Sequence, residues 1–318
     1  MAAMDADPDA LVRFAAPAYR VRASHPFGEI SGAAEVAERL WGPLHAALRG
    51  LRRMEHIFIA GENQHGPGEV WTLSHGVFQG TLAGDWLGIP ATGRAVDLPF
   101  AEFHQIEGGR IAQSALFLDI VRLQQTAGLD PFPNQTGARI TPPGPAGGGG
   151  VVLGASDPAQ GAATRALLDR MIEDIVAFNG EATQMPPPEL LARTWHNDMA
   201  WFGPGGIGTA RTIPGYQALH QRPFREALSH NHFHGHVCRI AEGSFSGWFG
   251  WPNLTNRNAG GYLGLPASDA TRQMRVVDIY RRAGAKLAEN WVFIDLLHYA
   301  HQHGVDLLAK PGTLGGGQ

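Results

Sequence analysis

The chain has a single cysteine, Cys238, among 318 residues, so no disulfide can form within it and a reducing compartment is the expected setting. It has no basic excess. Its 25 Lys and Arg stand against 29 Asp and Glu, a net charge of −4 with His neutral, which leaves no footprint for nucleic acid or an anionic membrane surface. No apolar run is long enough to span a bilayer. Residues 1–10 are acidic and lack the apolar stretch of a secretory signal. These absences point to a folded cytoplasmic protein with no nucleic-acid or membrane partner. What is present is a globular composition, 44% hydrophobic and 17% charged, long enough for two domains. The 42 Gly and 22 Pro suit many turns and a linker, and 15 His with 8 Trp hint at polar-aromatic cavities.

Residues 287–297 read as a β-strand ending near a carboxylate. Glu289, Trp291, Phe293 and Asp295 share one face, while Asn290, Val292 and Ile294 share the other. An acid flanked by Trp, Val, Phe and Ile is poorly solvated, which raises its pKa and suits a proton shuttle near neutral pH. The plainer alternative is an acid that caps a turn or pairs with an Arg. Residues 110–119 repeat the pattern and end at Asp119, an offset of 176 (295 − 119). The same offset lays 87–91 on 263–267 and 128–130 on 304–306, so one ungapped register covers 85–130 and 261–306, and His56 falls on His232. A period this long means a tandem pair of domains.

The expected boundaries are a first unit over 1–133, a flexible Gly/Pro-rich linker over 134–162, a second unit over 163–310 and a flexible tail over 311–318. Val36, Leu40, Leu44 and Leu48 predict a helix over 32–49 that Pro43 kinks or breaks. Strands are expected over 53–60, 69–78, 95–106 and 110–122. The linker holds Pro142, Pro143, Gly144, Pro145 and four glycines at 147–150. The second unit reads as a helix over 163–178 and a short helix opened by Pro186, Pro187 and Pro188. A strand over 194–201, a glycine loop over 202–208 and a helix over 214–228 follow. Strands are then expected at about 230–240, 244–251, 274–282 and 286–297. Helix followed by a run of strands gives an α+β class, each unit a helix packed on a curved antiparallel sheet.

His230, His232, His234 and His236 alternate along the expected 230–240 strand. One strand face can present two or three imidazoles to a metal, with Asp198, His196 or Asp295 completing the set. The alternative is a strand lining a wet pocket. In the 176 register the first unit has Met54, His56, Phe58 and Ala60 there, so a metal would belong to the second unit. His196 and Asp198 share a strand face, a pairing that suits general acid–base work; the alternative is an exposed edge pair. The first unit offers Arg20 and Arg22 in their place. Trp195, Trp201, Trp251, Tyr262 and Trp291 read as pocket wall and core. The lone histidines His75 and His104 join them and His232, His234 and His236 as substrate-binding candidates. Gly203, Gly205, Gly206 and Gly208 lack the strand–turn–helix setting of a phosphate cradle.

Four stretches of the second unit carry a family resemblance: 195–208 (WHNDMAWFGPGGIG), Gly250-Trp251-Pro252, 262–266 (YLGLP) and 289–295 (ENWVFID). Residues 74–80 (SHGVFQG), 87–93 (LGIPATG) and 109–119 carry it in the first. Together they resemble the SnoaL-like polyketide (ester) cyclase family over most of both units. The resemblance implies two tandem cone-shaped α+β barrels of the nuclear-transport-factor-2-like kind, each with an apolar cavity. It also implies cofactor-free, metal-free acid–base cyclisation in which an Asp moves the proton of an enolisable substrate, a role that carries over to Asp295 and Asp119. The leading expectation is therefore an enzyme performing a cyclisation, isomerisation or lyase-type step on a small apolar carbonyl compound. Asp295 moves the proton, His196 and Asp198 assist, and Asn290 or a His from 230–236 holds the oxyanion, while the first unit is a degenerate copy. The alternatives are a metal-dependent hydrolase or lyase using the His strand and a binding module without turnover. Units of this fold pair through their sheets, so a pseudo-dimeric monomer or a homodimer is expected.

Overall fold

The computed structural model describes Asp7, residues 9–178 and residues 185–308; the expected tail over 311–318 lies outside the described residues. The first unit runs α1 (Ala10–Phe14), β1 (Ala15–Ala23), β2 (Gly28–Ser31), α2 (Ala33–Val36), α3 (Gly42–Ala47), β3 (Leu48–Glu62), β4 (Val70–Leu82), β5 (Ala95–Glu107), β6 (Arg110–Leu118) and α4 (Ile120–Thr126). After α5 (Pro158–Phe178) and α6 (Pro188–Leu191), the second unit continues with β7 (Trp195–Phe202), β8 (Thr209–Arg211), α7 (Ile213–Tyr216) and α8 (Arg222–Ala227). Then come β9 (Ser229–Phe233), β10 (Cys238–Glu242), β11 (Phe245–Phe249), β12 (Leu254–Arg257), β13 (Thr271–Met274), β14 (Val276–Ala283), β15 (Lys286–Ile294) and α9 (Leu296–Gln302). Among the described residues no helix is long and apolar enough to cross a membrane.

Each unit builds a six-stranded sheet of one topology, β2-β1-β6-β5-β4-β3 and β8-β7-β15-β14-β11-β10. The sheets are mixed rather than purely antiparallel, because β1 runs parallel to β6 and β7 parallel to β15. One face of each packs on its own helices. Tandem α+β cones are the result, as the resemblance implied.

Pro43 and Pro223 act alike. Proline cannot donate to the helix ladder and crowds the preceding turn. Both helices absorb this with a π turn just upstream, Ala37–Trp41 and Gln217–Gln221. These turns lie 180 residues apart, not 176. The 176 offset holds for the last two strands, where Phe100 pairs with Leu118 and Val276 with Ile294. It fails elsewhere because the connections differ in length. Val21 beside Ser114 matches Trp201 beside Asn290, so Arg20 and Arg22 are not the counterparts of His196 and Asp198. Ile59 opposite Leu73 matches Ile240 opposite Gly247, so His56 does not correspond to His232.

The outer sheet faces pack on each other. Trp71, Phe103 and Phe117 of the first unit meet Phe249, Trp291 and Phe293 of the second in one buried cluster. The sheets approach so closely at Gly247 that an added Cβ would clash with Leu73 Cδ2. His75 is sealed in this interface, 5.8 Å from the Trp291 ring and 5.6 Å from the Phe293 ring, with Nδ1 2.9 Å from the Phe100 carbonyl oxygen. Burial pushes its imidazole down to about 3. A His depressed when folded takes up a proton more readily when unfolded, so the stability it supports is lost as pH falls from about 6.5 toward 3. His75→Leu is expected to flatten that acid slope, read as urea midpoints between pH 7 and pH 4; an unchanged slope would remove His75 from the explanation.

The segment over 134–157 is no free linker. Val151 bridges to Phe58, Ala138 bridges to Thr209, and the Pro143 carbonyl accepts from Trp291 Nε1 at 2.9 Å. Regular helix begins at Pro158, inside the span assigned to the linker.

Candidate functional site

The sequence directed attention to Asp295. The structure makes it the N-cap of α9, past the end of β15. Its Oδ1 accepts from His298 N at 3.1 Å, and its Oδ2 accepts from His25 N of the first unit at 3.0 Å and from Arg275 Nη1 at 3.3 Å. Asp119 does the same in mirror fashion: it caps α4 through Arg122 N at 2.9 Å and accepts from Gly205 N of the second unit at 2.8 Å. Burial pushes both carboxyls up, but their oxygens are committed to clasping the two units together. Capping and buried hydrogen bonds carry about 1–2 kcal/mol each. Asp119→Ala and Asp295→Ala are therefore expected to lower stability by at least that much in urea unfolding while leaving turnover in place. Lost turnover with an unchanged midpoint would return Asp295 to catalysis.

Other expected groupings come apart. His196 Nε2 donates to the Ala283 carbonyl at 2.9 Å while Asp198 is exposed, and no hydrogen bond joins the two. The histidine tract is not one strand: β9 ends at Phe233, and His230 carries a positive φ of 51° that breaks the alternation. His232 and His234 stack edge to face at 4.7 Å, His236 packs on Trp248 at 5.1 Å, and His230, His232 and His234 are exposed. Among the described residues no three His, Cys, Asp or Glu converge as a metal site. His234, His236 and Trp251 line an open surface hollow, and Trp251 also donates from Nε1 to Glu29 Oε1 at 3.1 Å. Trp291 lies in the sheet interface, and Tyr262 packs against Phe224 outside the cavity described next.

A cavity of about 190 Å³ lies between the inner face of the second sheet and helices α5 to α8. Trp195, Trp201 and Asn290, three of the residues singled out from sequence, line it together with Tyr216, His220, Asp278 and Tyr280. Asp278, on β14, was not singled out by sequence. Its Oδ2 accepts from Trp248 Nε1 at 3.2 Å and its Oδ1 from Tyr280 Oη at 3.2 Å and Asn290 Nδ2 at 3.4 Å. All three donors are neutral. Burial therefore prevails and raises the carboxyl above its ordinary value, with the hydrogen bonds opposing it.

The first unit has Glu102 in the same place: Glu102 pairs with Ser74 and Leu116 as Asp278 pairs with Trp248 and Val292. The repeat register itself was the signal that would have found Asp278. The surroundings differ sharply. Arg53 on β3 reaches Glu102 Oε2 at 3.0 Å and lies over the Phe100 ring at 4.1 Å. His104 Nε2 stands 3.5 Å from Glu102 Oε1, with Nδ1 2.7 Å from Ser114 Oγ. Burial alone would raise Glu102, but His104 and Arg53 outweigh it and hold the carboxyl at about 2. In the second unit the strand corresponding to the start of β3 peels away, since β9 pairs with β12 in a separate three-stranded sheet. Among the described residues no arginine forms an ion pair with Asp278.

Residues 2–114 match the sequence model of the SnoaL-like domain. The first unit is similar to the SnoaL-like domain over that span. Similar solved structures each span about one unit of this chain. An NTF2-like protein from Burkholderia xenovorans LB400 is 17% identical, covers 44% of this chain and 95% of its own, and has a TM-score of 0.35. TsrD from Streptomyces laurentii is 25% identical, covers 44% and 96%, and has a TM-score of 0.33. A protein of ketosteroid isomerase-like fold from Catenulispora acidiphila DSM 44928 is 14% identical, covers 40% and 90%, and has a TM-score of 0.31. None of the curated proteins compared matches the chain.

Proposed function

We propose that the second unit catalyses cofactor-free proton transfer at a carbon beside the carbonyl of a small substrate, with Asp278 as the base. The observation that carries this reading is the contrast between two carboxylates at one place in the fold. Glu102 is neutralised by a cation and cannot act as a shuttle, whereas Asp278 has only neutral donors, a raised pKa and a cavity before it. A base is most useful when its pKa lies near the working pH. Asp278 takes the α-proton, the C–H electron pair becomes the C=C bond of the enolate, and the carbonyl electrons move to oxygen. Returning the proton to another carbon would isomerise the substrate; attack of the enolate on a second carbonyl would cyclise it. Tyr216 and His220, both held neutral, face the same space as donors for the oxygen. The first unit serves as the structural copy.

The test is α-hydrogen/deuterium exchange of cyclohexanone, followed by NMR in the presence of the full chain. Exchange above the buffer rate that disappears in Asp278→Asn supports the assignment. Exchange that persists in the folded variant removes it.

A further inference from the structure

The same cavity limits what can enter it. Its 190 Å³ is little more than the 150 Å³ of an apolar protein cavity that holds benzene. One ring with short substituents fits; a skeleton of three fused rings does not. Among the described residues that line the cavity there is no Lys or Arg, and Asp278 is the only carboxylate. A carboxylate or phosphate on the ligand would be desolvated there without a cation, which is costly.

The helix side supplies two polar atoms with no protein partner, His220 Nδ1 and Gln221 Oε1. Both belong to the π turn Gln217–Gln221, a local geometry frequent at functional sites. His220 is held in plane by stacking on Trp201, with centroids 4.0 Å apart and an interplanar angle of 19°. The Gln221 side chain already bonds the Tyr216 hydroxyl, which leaves its carbonyl oxygen to accept. A buried polar atom left unpaired costs about 1–3 kcal/mol, so the pair favours a ligand group that donates to one and engages the other. A hydroxyl or enol oxygen does both, since it carries one O–H donor and two lone pairs.

We propose that the cavity of the second unit binds an uncharged single-ring compound whose hydroxyl or enol oxygen is read by His220 and Gln221. The proposal deepens the acid–base reading by naming its substrate class, yet binding can be measured apart from proton transfer.

The experiment is isothermal titration calorimetry of the full chain with phenol, toluene, benzoate and 1-anthrol. Phenol is expected to bind about tenfold more tightly than toluene, the worth of one to two net hydrogen bonds, and benzoate and 1-anthrol not at all. In His220→Phe and Gln221→Leu the preference for phenol over toluene should shrink to near unity while toluene still binds. The proposal is overturned if phenol does not bind, if wild type binds phenol and toluene equally, if benzoate or 1-anthrol matches phenol, or if both variants keep the preference. The two readings fail separately: selective phenol binding by a wild-type chain that shows no exchange sinks the catalytic assignment and leaves the ligand class standing, whereas exchange lost in Asp278→Asn with phenol binding kept supports both.

Discussion

Asp278→Asn is expected to lower cyclohexanone exchange by about 10²–10⁴-fold, the usual contribution of a positioned proton-transfer group. Asn is nearly the same size and can still accept from Trp248 and Tyr280, so the cavity keeps its shape while losing its base. In wild type the exchange rate should rise with pH as Asp278 ionises, and the inflection should lie above the ordinary aspartate value because burial raises it. Stability runs the other way. The folded pKa exceeds the unfolded value of about 3.9, so ionising Asp278 costs the folded state more than the unfolded one. Wild type therefore loses stability as pH rises from about 4 through the folded value. Asn carries no such cost. The variant should unfold at a higher temperature than wild type at pH 7, with the gap closing below pH 4. A dead enzyme that is more stable than its parent is the signature of a strained catalytic base; a variant that is dead and less stable would instead indicate a collapsed cavity.

Arg53→Leu should produce the largest loss of stability, about 3–5 kcal/mol in urea unfolding. The guanidinium and Glu102 are both nearly inaccessible, each side chain 3% exposed, and 3.0 Å apart. Taking away the cation strands a buried carboxylate. Arg53→Leu with Glu102→Leu should recover most of the loss, because replacing both members of a buried pair by apolar groups is often neutral. The pH dependence has a definite sign. Glu102 is depressed to about 2 when folded, below its unfolded value of about 4.3, so its contribution is complete above that value and fades as pH falls toward 2. The double variant should lack this acid-labile component. Equal destabilisation of single and double variants would mean that Arg53 acts through packing on Phe100 rather than through charge.

The tandem α+β fold was legible because β5, β6 and the following acid recur as β14, β15 and Asp295 without a gap. The role of those acids was not. A seven-residue helix such as α9 is too short for its periodicity to stand out from a strand that ends in Leu-Leu, so Asp295 looked like a strand residue in an apolar setting. The plainer alternative, an acid that caps a turn or pairs with an Arg, describes what the folded chain does with it. The histidine tract misled for a different reason. Alternation places side chains on one face only while the strand continues, and Gly235 (φ +106°) with the positive φ at His230 bends this one out of the sheet. Trp195, Trp201 and Asn290, singled out from sequence, do line the cavity, because alternation along β7 and β15 turns these positions to one face of the sheet. Asp278 escaped notice because a single acid in a strand carries no local signal; its meaning lies in what stands across the sheet, Trp248 in one unit and Ser74 with Arg53 in the other.

The reciprocal grip of Asp119 on Gly205 and of Asp295 on His25 has a consequence for how the two halves can diverge. In an assembly of two identical chains, every residue change appears twice, and a cation that quiets one pocket quiets both. Joining the halves in one polypeptide removes that coupling. The clasp keeps their mutual geometry fixed through matched contacts, while Arg53 is installed on one side alone. One half is thereby free to trade reactivity for rigidity, and the other can tolerate an awkward acid because its neighbour supplies the support.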